Sequence, residues 1–164
     1  YTFSSDFPTT DTAVQRGYAG NADVFVMAVD PSRPGDALID YSTYLGDGDT
    51  EIPYGLFVLP DGRVAVAGYT ASNNFPIVGG ALQTARGGTS VDGFVSILNP
   101  RGGLEYSTYL GGLSTDIATG IAVDANDGIY VSGYTNSRDF PKEANGPSLP
   151  GGIVNTGFVL RIAR

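Results

Sequence analysis

The hexapeptide YSTYLG occurs at Tyr41–Gly46 and again, unchanged, at Tyr106–Gly111, 65 positions apart. An exact internal duplication constrains the fold more than any composition does, because it means that one structural unit is built twice. The duplication extends well beyond these six letters. YTFSSDFP at Tyr1 returns as YTASNNFP at Tyr69 and YTNSRDFP at Tyr134, after 68 and 65 residues. GLFVLPDGRVAVAG (Gly55–Gly68) aligns with GIAVDANDGIYVSG (Gly120–Gly133), and DVFVMAVD from Asp23 aligns with DGFVSILN from Asp92 and TGFVLRIA from Thr156.

Each repeated part reads as a short strand. The runs Gly55–Leu59 and Arg63–Ala67 flank PDG, and Gly120–Val123 and Ile129–Ser132 flank DANDG. Asp-Gly turns between apolar runs are the strongest local hairpin signal. From Leu104 to Leu110 the apolar character alternates, which predicts one buried face (Leu104, Tyr106, Thr108, Leu110) and one partly wet face (Glu105, Ser107, Tyr109). No segment of ten or more residues has helical periodicity; GALQTARGG comes nearest, and its glycines limit it to a turn. The 24 glycines and 10 prolines fit a chain of many turns, and 41% hydrophobic residues suffice for a packed core.

One period therefore holds four strands: an inner hairpin, a DGFVSILN strand reached through a long Phe-Pro loop, and a LEYSTYLG strand leading to the next period. Four antiparallel strands per repeat make a propeller blade. Equivalent positions in stacked blades meet the same neighbours, so they select the same residues. The expectation is an all-β fold of β-propeller blades, about two and a half of them, in an incomplete ring. Residues 1–46 are expected to form a partial blade, 55–111 a complete blade, and 117–164 three strands of a further one.

The motifs YSTYLGG, GIAVDANDGIYVSGYT and FP resemble the β-propeller repeat of bacterial extracellular and cell-surface proteins, often seven-bladed. The resemblance covers nearly the whole chain and implies a secreted, cell-surface or periplasmic location. The first copy departs from it at Pro53, Phe57 and Pro60, which places the inner hairpin of that blade in question.

Closed propellers need about four to eight blades, so this chain is not expected to close a ring alone. Open sheet edges and apolar blade faces must be covered. The cover could be further blades of a longer chain, other copies in a homo-oligomer, or a different protein. The start at Tyr1, inside a GYT strand whose later copies follow Val-Ala-Gly and Val-Ser-Gly, favours a segment of a longer propeller. The expected role is a non-catalytic structural or protein-interaction module.

Other chemistries find less support in the residues. A net charge of −8 opposes nucleic acid and anionic membrane surfaces, and no apolar run reaches the roughly 18 residues that span a bilayer. With no histidine and no cysteine, His- or Cys-based nucleophile systems and the usual zinc and haem ligands are excluded. Glycoside hydrolysis would need paired carboxylates, yet GLFVL and GIAV on the inner strands carry none, and Asp124 has Pro60 as its counterpart. No cofactor is expected, and nucleotide-binding glycine loops are absent. Asp47, Asp49 and Glu51 form the densest acidic group and are a calcium candidate, but the aligned GGLSTD has one carboxylate, so a solvated inter-blade turn is favoured. Asp124, Asn126 and Asp127 fit a tight turn. A lectin-like surface is the alternative function, with tyrosines stacking on sugars and Asn73, Asn74, Asn136 and Ser137 supplying hydrogen bonds. Against it, Tyr41, Tyr44, Tyr106 and Tyr109 recur as blade-packing residues must.

Overall fold

The computed structural model describes residues 1–142 and 155–163. The last twelve residues before Asn155 and Arg164, both within the expected third blade, lie outside the described residues. The described chain is all-β, with nine strands in three antiparallel sheets. Strands β1 (Val24–Val29) and β2 (Ile39–Leu45) form the first sheet, with a single 3-10 turn at Gly35–Leu38 between them. Strands β3 (Glu51–Val58), β4 (Val64–Thr70), β5 (Asp92–Leu98) and β6 (Leu104–Leu110) form the second, in the order β3-β4-β5-β6. The third contains β7 (Asp116–Val123), β8 (Ile129–Thr135) and β9 (Thr156–Ile162). These are blades of an open propeller.

The sheets repeat in register as well as in sequence. Phe25 faces Tyr44 as Phe94 faces Tyr109, and the outer pairs break register at equivalent places, Ala28/Val29 and Ile97/Leu98. The inner hairpins shift register at Pro53/Gly55 and Ala118/Gly120, leaving Tyr54 and Thr119 as the extra residues. Pro53 therefore sits at a bulge on the strand that ends the sheet, where a missing N–H is tolerated. The hairpin questioned for its prolines forms in full. Both inner strands also begin four residues earlier than the expected Gly55 and Gly120: those runs extend outward from the Asp-Gly turns only as far as the bulges at Tyr54 and Thr119, and the strands continue beyond them.

The outer strand departs from expectation more strongly. Ser107 and Tyr109, expected on a partly wet face, are buried. The long Phe-Pro loop runs along the free edge of β6: the Ser107 N–H donates to the Val78 carbonyl at 3.0 Å and the Tyr109 N–H to the Gln83 carbonyl at 3.2 Å. The first blade is closed in the same way, Tyr44 N–H donating to Gln15 and Thr10 N–H to Ser42. Each loop thus satisfies an edge that would otherwise template aggregation.

Two cores lie between the sheets. Val24, Val26, Tyr41 and Leu45 of the first sheet pack with Val64, Val66, Phe75, Phe94, Leu98 and Tyr109. Ala65, Ala67, Val95, Ile97 and Tyr106 pack with Ala118, Ile129 and Val131 of the third sheet. Each large side chain fully buried in this way stabilises the fold by about 1.5–3 kcal/mol. Backbone bonds also cross the junctions, from Glu51 N–H to Ala22 (2.7 Å) and from Asp116 N–H to Val91 (2.9 Å).

Candidate functional site

The acidic segment after YSTYLG does not close around an ion. Glu51 is the first residue of β3 and wholly buried; its carboxylate accepts from the Thr70 hydroxyl at 2.6 Å and from the Asp47 N–H at 3.1 Å. Asp49 is exposed and turns toward Asn21, whose side-chain amide reaches it at 3.3 Å, while its own N–H donates to the Ser72 hydroxyl. Asp47 contributes its backbone N–H rather than its carboxylate. Among the described residues no three acidic side chains gather as a metal-binding group.

The structure instead assembles a polar joint at each blade boundary, and its centre is a glutamine that the sequence reading passed over. Gln15 and Gln83 each stand eight residues after the phenylalanine of a Phe-Pro pair. The Gln15 side chain accepts from Gly46 N–H at 2.9 Å and donates to the Gly17 carbonyl and to Asp23 Oδ2 at 2.8 Å. Gln83 accepts from Gly111 N–H at 3.1 Å and donates to the Ala85 carbonyl and, at 3.4 Å, to Asp92 Oδ2. The same two aspartates take a loop N–H each, from Ala19 and from Gly87. The signal available in the sequence was the recurrence of Gln at one offset from Phe-Pro.

Each of these aspartates faces the first acid of the next blade. Asp23, Asp92 and Asp116 are wholly buried, and the Oδ1 atom of each is buried without a hydrogen-bond partner. Gly46 passes between one pair: a Cβ there would lie 2.5 Å from Glu51 Oε2 and 2.8 Å from Asp23 Oδ1. Burial raises Asp23 and Glu51 above the ordinary carboxylate range, and the Asp23 charge adds to the effect on Glu51. Burial, with the Asp116 charge second among the raising causes, pushes Asp92 up to about 6. The inner strands therefore do begin on carboxylates, contrary to the uncharged stretches read from the sequence, but these are sealed between blades.

The polar residues offered for sugar contacts lie on two separate loops. The four tyrosines set against that reading, Tyr41, Tyr44, Tyr106 and Tyr109, are buried as blade-packing residues, whereas Tyr1, Tyr54 and Tyr130 are exposed. Ser137 donates to Asp116 Oδ2 at 2.6 Å, and Asn73 Oδ1 holds the Arg86 guanidinium; Asn74 is exposed, and the Asn136 N–H donates to the Thr115 carbonyl. At the DANDG turn, Asp124 Oδ1 accepts from Asn126 and Gly128 N–H at 2.8 and 2.9 Å, and Asp127 takes a φ of 62°. Asp127 also pairs with Arg63 of the neighbouring blade's turn at 2.6 Å.

Comparison with known proteins agrees with this architecture. The chain is 32% identical over 122 residues to the regulatory protein FlaEY of Caulobacter vibrioides (strain ATCC 19089 / CIP 103742 / CB 15), an alignment that covers 74% of this chain and 12% of that protein. The chain thus spans a small part of the relative's length. Residues 105–141, from the outer strand of the middle blade through the inner hairpin and Phe-Pro turn of the next, match the family SBBP, beta-propeller repeat. With the duplicated register and the polar joint recurring around that segment, the match at residues 105–141 is consistent with a β-propeller repeat family.

Proposed function

We propose that this chain is a non-catalytic structural segment of a larger extracytoplasmic propeller protein, or an accessory subunit of a complex, and that it works by packing blade against blade. The observation that carries this reading is the unfinished first blade. Strand β1 has β2 on one side, and on the other it meets only the Thr2–Asp23 bridge among the described residues. That bridge occupies the place that the Thr70–Asp92 pair holds in the middle blade. Beside it lies an apolar groove lined by Val24, Phe25, Val26, Pro53, Leu56 and Val66, and Tyr54, Leu56 and Val58 on β3 are 55–61% exposed. On its other face β3 receives β7 of the third blade. The occupant that fits is therefore an inner hairpin of the same repeat, pairing with β1 and covering β3.

The extracytoplasmic placement rests on the family resemblance, and the non-catalytic reading is supported by the paired acids of the described residues being buried in the blade joints. Sedimentation of the isolated chain over a range of concentrations tests the packing role. Self-association is expected, and L56K/V58K should shift it toward monomer. A chain that stays monomeric at every concentration and unfolds in one cooperative transition would overturn the reading.

A further inference from the structure

We propose that Asp92 and Asp116 form the seat of a single proton, taken up below neutral pH, that strengthens the joint between the middle and third blades. Asp92 opens β5 and Asp116 opens β7, and the Asp116 N–H donates to the carbonyl of Val91, next to Asp92, at 2.9 Å. The Gly111–Gly112 segment passes against both acids. A Cβ on Gly111 would lie 2.4 Å from Asp92 Cγ, and Gly112 N–H donates to Asp116 Oδ2 at 2.7 Å. On each acid Oδ2 is the oxygen that is used, and Oδ1 is buried without a partner.

Two like charges with two unpartnered oxygens are costly in a dry interface. One proton removes a charge and turns a carboxylate into a hydrogen-bond donor. Asp92 is the better holder. Its Oδ2 receives one short bond, from Gly87 at 2.8 Å, and a long one from Gln83, whereas Asp116 Oδ2 receives two short bonds, from Gly112 and from the Ser137 hydroxyl. The remaining charged groups facing the pair do not cancel it. Arg86, on the loop before β5, opposes protonation of Asp92 but is engaged by Asn73 and Ser90. Asp139, on the loop after β8, lies beside Gly112 and accepts from Leu113 N–H, adding a further negative charge. No third acidic ligand joins the pair among the described residues, so its two free oxygens suit a proton better than a metal ion. The upward displacement of Asp92 by burial agrees with this assignment.

The test is a carboxyl-carbon NMR titration of the whole chain with labelled aspartate, assigned through the backbone. An Asp92 midpoint near 6 is expected, and a midpoint near the ordinary value of about 4 would overturn the proposal. In parallel, Asp92→Asn supplies a permanent N–H in place of the proton. Its Tm should exceed that of the parent at pH 7 by roughly 2–4 °C or more, and the gap should close by pH 5. A gap equal at both pH values would also overturn the proposal; if the variant does not fold, the carbon titration decides alone.

Discussion

Tyr109 and Tyr41 show how two buried tyrosines of one hexapeptide pattern do different work. The Tyr109 hydroxyl accepts from Phe75 N–H at 2.9 Å and donates to the Ser72 carbonyl at 3.0 Å, pinning the Phe-Pro loop to the outer strand. Tyr44 does the same for Phe7 and Ser4. The Tyr41 hydroxyl is buried with no partner. Removing a hydroxyl that satisfies two backbone groups leaves both unpaired, at a cost of about 1–3 kcal/mol, whereas removing an unsatisfied one relieves a desolvated group. Tyr109→Phe should therefore lower the urea midpoint clearly, and Tyr41→Phe should leave it unchanged or raise it. Equal losses in both variants would contradict this account. The repeated letters announced that the tyrosines pack; which of them also holds a loop depended on where the loop's backbone ended up.

Among the elements, the hairpins were legible because their turns carry their own chemistry. Asp124 and Gly128 form the DANDG turn with local hydrogen bonds, and a sequence reading can find such bonds without a fold. The left-handed conformation of Asp127 and its pairing with Arg63 across the blade junction were not visible, since Arg63 lies 64 residues away. A non-glycine residue pays about 1–2 kcal/mol in that conformation, and aspartate or asparagine pays less. Asp127→Ala should therefore lower stability by about that amount, while Asp127→Gly should stay within about 0.5 kcal/mol of the parent, the ion pair being partly exposed. Chemical denaturation compares the two, and an alanine variant as stable as the glycine one would refute the strain. The early starts of β3 and β7 escaped for a related reason: turn chemistry marks only the turn end of each hairpin, and the far ends continue past an extra residue at Tyr54 and at Thr119 that no turn signal announces.

At the scale of the whole molecule the buried acids set the response to pH. Asp23, Glu51 and Asp92 have folded values above their ordinary ones, Asp92 at about 6. Their stabilising contribution is complete below the unfolded value of about 4 and is lost as the pH rises through the folded values. Asp30, held at about 2 by Ser32 and Arg33, and Asp61 and Asp124, lowered by backbone donors of their turns, act in the opposite sense. Their contribution is present above about pH 4 and disappears on further acidification. Stability should therefore peak between about pH 4 and 6 and decline toward neutrality. Calorimetric Tm values from pH 2 to 8 check this, and a Tm that climbs steadily to pH 7 would show that the buried acids do not dominate. The Gln83–Gly111–Asp92 joint behind this behaviour joins residues from three separated segments, so no single stretch displays it.

The sequence by itself determined the repeat, the strand content and the turns, because each depends on contacts between residues a few positions apart or on identical letters recurring at one period. Tertiary structure alone decided three things: that the Phe-Pro loops seal the outer edges, that the acids opening β5 and β7 meet in a dry joint, and that β1 and β3 are left with an open apolar side. Edge pairing, desolvation and exposure belong to pairs of surfaces, and a chain acquires them only when its blades are set against one another.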